Sequence, residues 1–135
     1  MVFINIVIAS HAHMAEGVKN TVSMLSGKKE IYTLCAYEQT DNIETEINEL
    51  CQKLDMKQKT IVFTDLLGGS VNLEITRNMM SNTVMIVAGF NLAVILECLY
   101  LSDEECNEQT LSGIINSAKE QMVLVNAVLQ KEGGM

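Results

Sequence analysis

The sequence predicts an α/β fold: a doubly wound, mainly parallel sheet with helices on both faces. Three observations predict it. Short apolar runs alternate with longer amphipathic stretches four times along the chain. The first run is almost continuously apolar, as in a strand covered on both sides. Finally, 48% hydrophobic against 19% charged residues in a chain of 135 supplies one domain with a sizeable core.

The elements follow in order. Residues 3–9 (FINIVIA) are short and β-branched, and form the first strand. Residues 15–25 place Val18, Val22 and Leu25 on one helical face, with Gly27 as the stop. Residues 31–37 (IYTLCAY) read as the second strand. Asp41 is placed to cap the next helix, with Glu44 completing a capping box. That helix carries Ile43, Ile47, Leu50, Cys51 and Leu54 in one stripe. Residues 60–64 (TIVFT) are the third strand. After DLLGGS, Ser70 is expected to cap a helix bearing Leu73, Ile75 and Met79 or Met80.

Residues 83–88 (TVMIVA) form the fourth strand, ended by Gly89. Residues 91–101 and 108–119 read as helices, and Asp103-Glu104-Glu105 as a solvated helix entry. The valines of residues 122–128 suit a short antiparallel last strand as well as a helix end. Proline is absent, so every break depends on Gly, Asn, Asp or Ser. The expected organisation is one domain over residues 1–130 and a tail over 131–135.

Charge narrows the partners. Nine basic residues against seventeen acidic ones give a net charge of −8. That is too few and too scattered for a groove that tracks phosphates, which argues against nucleic acid and against an anionic membrane surface. No apolar stretch reaches the ~20 residues that span a bilayer. The opening MVFINIVIAS lacks the basic residues of a signal peptide. Cys35, Cys51, Cys98 and Cys106 show no CxxC and no companion His, and read as reduced thiols of a cytosolic protein rather than a metal site.

In an open parallel sheet, ligands bind beyond the carboxyl ends of strands where the strand order reverses. The flavodoxin-like order 2-1-3-4 puts the first and third strands there. The residues to inspect are therefore Ser10-His11-Ala12-His13 and Asp65-Leu66-Leu67-Gly68-Gly69-Ser70. A neutral imidazole at His11 can act as nucleophile or base. Asp65 can fix its tautomer and stabilise the imidazolium. Gly68, Gly69 and Ser70 can offer N–H groups and a hydroxyl to an anion at a helix start. Nucleophile, orienter and anion cradle describe phosphoryl transfer to histidine.

Plainer readings exist for each residue. A loop His is commonly solvated, Asp65 can be a turn residue, and a double Gly often only permits a tight turn. Ser70 can simply cap a helix, and His13 reads as a surface residue that with His11 lacks a third metal ligand. No GxxxxGK[ST] or GxGxxG supports a nucleotide site. Met79, Met80 and Met85 read as packing residues.

With FINIVIASHAHMAEG, IVFTDLLGGSVN and VMIVAGFNLAVILE in this order, the chain resembles the IIA component of the mannose-family sugar phosphotransferase system (PTS) over nearly its full length. The resemblance implies that His11 is phosphorylated, that Asp65 is its paired carboxylate and that Ser70 contacts the phosphoryl group. It also implies a donor, phospho-HPr, an acceptor, a sugar-specific IIB component, and membrane contact only indirectly, through IIC and IID components. It implies a homodimer, with an exchanged C-terminal strand over residues 122–128, and requires no organic cofactor or metal. Three positions depart from the family pattern: Ala12 for Gly, and Val71 and Ala93 for Pro. Ala12 costs little unless its backbone needs a positive φ. Two other readings are carried alongside: the phosphocarrier subunit of a PTS-dependent dihydroxyacetone kinase, and a non-catalytic module that binds an anion or a protein.

Overall fold

The computed structural model describes residues 3–133. Its elements are β1 (Asn5–His11), α1 (Met14–Ser26), β2 (Tyr32–Ala36), α2 (Ile43–Lys53) and β3 (Thr60–Thr64). They continue with α3 (Ser70–Met79), β4 (Val84–Ala88), α4 (Leu92–Cys98), α5 (Glu108–Lys119) and α6 (Val125–Lys131). The four strands are all parallel, in the order β2-β1-β3-β4. The expected strand order is therefore the observed one.

Side-chain alternation along the central strands separates two cores. On one face, Ile6 and Ile8 of β1 and Ile61 and Phe63 of β3 pack with Val22 of α1, Ile95 of α4 and Leu111 of α5. On the other, Val7, Ala9 and Val62 pack with Ile43, Ile47 and Leu50 of α2 and Val71, Ile75 and Met79 of α3. Burial of each such aliphatic side chain is worth about 1.5–3 kcal/mol. This two-sided cover explains the continuous apolar run of β1.

Several expected details shift for local reasons. The first strand begins at Asn5 rather than Phe3 because residue 5 enters the parallel ladder through Lys59 O, whereas Ile4 N donates to Leu101 O. The strand then runs on to His11, paired with Ala36. Asn42, not Asp41, caps α2, accepting from Thr45 N at 3.2 Å. Gly69 rather than Ser70 is the cap of α3, so the inward face is Val71, Asn72, Ile75 and Met79, and Leu73 and Met80 are exposed. On α1 the inward positions are Ala15 and Val22, with Val18 packed beside them and Leu25 exposed. Gly27 closes α1 in the left-handed region, φ 80°. Residues 103–105 form a turn in which Ser102 and Glu105 exchange hydrogen bonds.

The last strand is a correction. Residues 125–131 are helical, and the described residues contain no fifth strand in the sheet. Met122, Val123, Leu124 and Val125 stand exposed, no strand among the described residues pairs with them, and their backbone bonds are local, from Met122 N to Lys119 O and from Ala127 N and Val128 N to Leu124 O. Because α6 extends to Lys131, regular structure crosses the expected boundary at residue 130; Gly134 and Met135 of the expected tail lie outside the described residues. All four cysteines are free, and burial pushes the Cys98 thiol up to about 12, which fits a packing residue. Among the described residues no helix is long and apolar enough to cross a membrane.

Candidate functional site

Adjacent parallel strands release their chains at the same edge of the sheet, and β1 and β3 are adjacent. Ala9 is level with Thr64, so His11 ends β1 beside the residue that follows β3, Asp65. Asp65 Oδ2 accepts from the His11 backbone N–H at 2.8 Å and lies 2.8 Å from His11 Nδ1. Its other oxygen, Oδ1, accepts from Leu66 N at 2.9 Å. Burial pushes the Asp65 carboxyl up, but the bonds from His11 and Leu66 and the His11 charge together outweigh it and hold it below the ordinary value.

That direction fixes the proton arrangement. An ionised carboxylate only accepts, so Nδ1 of His11 carries the proton shared with Asp65, and in the neutral imidazole Nε2 keeps its lone pair. The two side chains differ in exposure, 41% for His11 against 9% for Asp65, so the ring faces solvent from a buried anchor. Nε2 lies 3.2 Å from Ser70 Oγ, and Ser70 Oγ lies 2.8 Å from the Tyr37 hydroxyl. Asp65, His11 and Ser70 are thus brought together as the sequence predicts.

The Gly-Gly pair has two distinct jobs. Gly68 sits at φ 78°, a conformation that an L side chain adopts only with strain. At Gly69 a Cβ would meet Leu66 Cβ and Leu66 O at 3.3 Å and His11 Cε1 at 3.6 Å. Gly69 therefore lets the loop lie close against the imidazole. Because Gly69 offers no side chain to cap α3, the Ser70 hydroxyl is left for the ring and the first N–H groups of the helix open beside it.

Buried polar groups hold this loop. Asn72 Oδ1 accepts from Gly68 N at 3.1 Å, Asn72 Nδ2 donates to Thr64 Oγ1 at 2.9 Å, and Thr64 Oγ1 bonds Val87 O at 3.4 Å. On the other side, Ser10 Oγ accepts from Ala15 N at 2.7 Å and secures the start of α1. Sequence reasoning missed Tyr37, Asn72 and Thr64 beside the site, and gave Ser10, within the loop it singled out, no role of its own. A signal existed for Tyr37, since β2 also flanks β1 and ends at the same edge.

His13 stands apart: its side chain is 83% exposed and pairs with Glu38 Oε2 at 3.0 Å. Ala12 has φ 52°, so the condition under which alanine is strained is met; the turn is tied by Ala12 N donating to Ala36 O at 3.1 Å. Val71 is fully buried in the α2–α3 core, and Ala93 packs against the opposite core just after the Asn91 cap of α4.

Residues 5–115 match the model of the EIIA-man family, described as the PTS system fructose IIA component. Among solved structures, a protein from Streptococcus pneumoniae, the PTS IIA protein associated with the fucose utilization operon, is 30% identical, with a TM-score of 0.78 over 96% of this chain and 99% of that one. A Klebsiella pneumoniae protein assigned as a phosphoenolpyruvate-dependent sugar PTS permease is 27% identical, with a TM-score of 0.80 over 94% of both chains. The mannose/sorbose-specific IIA subunit of Enterococcus faecalis shares the fold, with a TM-score of 0.69 at 19% identity over 91% of this chain and 95% of that one. The chain belongs to the EIIA-man family of sugar phosphotransferase system IIA components.

Proposed function

We propose that this IIA component carries a phosphoryl group on Nε2 of His11, accepting it from phospho-HPr and passing it to a IIB component for sugar uptake. The observation that carries this reading is the opposed engagement of the two ring nitrogens: Nδ1 is held by an anionic Asp65 at 2.8 Å, while Nε2 faces solvent and Ser70. Only a nitrogen with a free lone pair can attack phosphorus.

The transfer needs no outside proton. The Nε2 lone pair forms the new P–N bond as the bond to the donor's ring nitrogen breaks, and that electron pair returns to the donor ring. A donor ring protonated at its other nitrogen leaves as neutral imidazole. His11 becomes a phosphoimidazolium, whose positive charge Asp65 stabilises through the Nδ1 proton. The Ser70 hydroxyl and the open N–H groups at the start of α3 receive the phosphoryl oxygens, whereas the N–H groups of Gly68 and Gly69 are spent within the loop on Asn72 Oδ1 and Leu66 O. Transfer to the acceptor reverses the same steps, with neither metal nor organic cofactor taking part.

Partners that come and go need a modest docking rim. Leu66 (62% exposed) and Leu67 (83%) lie in the loop that carries Asp65, and Met14 (51%) lies three residues beyond His11. The reading places the protein in the cytoplasm, where the donor is formed, with the sugar itself handled by membrane components. The exposed run Met122, Val123, Leu124 and Val125 favours a homodimer in which a second copy covers it.

Intact mass after incubation with phosphoenolpyruvate, enzyme I and HPr tests the assignment. A single acid-labile phosphoryl adduct is expected on wild type and on His13→Ala, and none on His11→Ala. An adduct that survives His11→Ala on the folded protein would overturn it.

A further inference from the structure

We infer that Tyr37 is a positioning residue for phosphoryl transfer, acting through Ser70 to direct a hydroxyl proton at Nε2 of His11 and then at the phosphoryl group. The inference rests on the phosphocarrier reading above and goes beyond it to a residue outside the two loops that define the site.

Donor and acceptor chemistry allows one direction along the chain of contacts. Nδ1 donates to the anionic Asp65, so in the neutral, nucleophilic form of His11 the Nε2 atom can only accept. The Ser70 hydroxyl, 3.2 Å away, must therefore donate to it. Its oxygen then accepts, and the Tyr37 hydroxyl, 2.8 Å from Ser70 Oγ, has one proton to give. Donation by Tyr37 polarises the Ser70 hydroxyl and fixes its rotor, which would otherwise turn freely. Once Nε2 carries phosphorus its lone pair is gone, and the same Ser70 proton turns to a phosphoryl oxygen. Both hydroxyls keep their protons throughout.

The backbone is shaped for this contact. Tyr37 has φ 70°, an uncommon conformation for a large side chain, and follows immediately after β2, the neighbour of β1. The main chain just before it is anchored by Ala36 O, which accepts from Ala12 N beside His11. The Tyr37 ring also lies 5.7 Å from the His11 imidazole, centroid to centroid, and walls one side of it.

The test is single-turnover transfer from phospho-HPr to wild type, Tyr37→Phe, Ser70→Ala and the double variant. Phe keeps the ring and removes only the hydroxyl. Tyr37→Phe is expected to slow transfer about 5- to 30-fold, the worth of one hydrogen bond to a charged group, with HPr affinity unchanged. In the Ser70→Ala background the same change is expected to have no further effect, because its route to the ring is gone. A wild-type rate for Tyr37→Phe would overturn the inference, and so would an equal slowing in both backgrounds. If wild type itself takes no phosphoryl group from an active donor, the phosphocarrier reading fails and this inference fails with it.

Discussion

One oxygen of Asp65 holds His11 twice: Oδ2 lies 2.8 Å from both the backbone nitrogen and Nδ1 of that residue. The double contact fixes the strand end and the ring orientation together, and the second oxygen is occupied by Leu66 N. Asp65→Asn removes the charge and places an amide where an acceptor is needed. Phosphoryl transfer is expected to fall by about 10²- to 10⁴-fold, as when the orienting carboxylate of a triad is neutralised. Stopped mixing with phospho-HPr measures it; a loss under threefold would count against the orienting role.

The same contacts predict an acid limit to stability. The folded-state pKa of Asp65 is depressed below its unfolded value, so its contribution is fully present above the unfolded pKa near 4. It is lost as the pH falls through the folded value. Wild type is therefore expected to lose its advantage over Asp65→Asn as the pH drops below about 4. Urea midpoints at pH 7 and at successively lower pH read this, and a gap that widens in acid would contradict it.

Glu46 behaves in the opposite sense. Burial, the largest effect, pushes its carboxyl up, and the Glu49 charge adds to it, while the nearby Tyr37 N–H pulls the other way. Its Oε2 is buried and has no hydrogen-bond partner among the described residues. A raised folded pKa makes the ionised form a liability at neutral pH that disappears as the pH falls. Glu46→Gln is expected to stabilise the protein at pH 7 by about 1 kcal/mol or less. Thermal melts at pH 7 decide it, and a lower melting temperature would refute the account.

Ala12 stores backbone strain beside the site at φ 52°. Ala12→Gly relieves a left-handed alanine, and the gain is expected to be about 1 kcal/mol, less the extra freedom of glycine in the unfolded chain. Denaturant unfolding gives the value; a loss of stability would show that the turn is not strained.

The proposed dimer has a direct check. Leu124→Asp places a charge in the exposed apolar run at a side chain 70% exposed in the single chain. Sedimentation is expected to show a dimer for wild type and a monomer for the variant, with the melting of each protomer's sheet little changed. A wild-type monomer at high concentration would remove the dimer from the account.

The strand order and the meeting of His11, Asp65 and Ser70 were legible because they follow from where apolar runs end. A parallel sheet with its first and third strands adjacent brings residues 11 and 65 together whatever the details of the loops. Helix boundaries were less legible: Asn42 displaced Asp41 as a cap, and Gly69 displaced Ser70, because one-residue choices depend on which backbone turn fits. Tyr37 was hidden since its role depends on a positive φ at a residue that seldom adopts one, while for Ala12 the positive-φ condition was legible but not that the turn meets it. Of the two readings open for residues 122–128 the helix is the observed one, because valines favour a strand only where an edge is offered to pair with.

In the proposed transfer Nε2 of His11 is the nitrogen that bonds phosphorus. Heteronuclear NMR of the protein carrying 15N-labelled histidine, phosphorylated through enzyme I and HPr, tests it most directly. The expected result is a phosphorus coupling at Nε2 of His11, with Nδ1 still protonated toward Asp65. A coupling at Nδ1, or on His13, would contradict it.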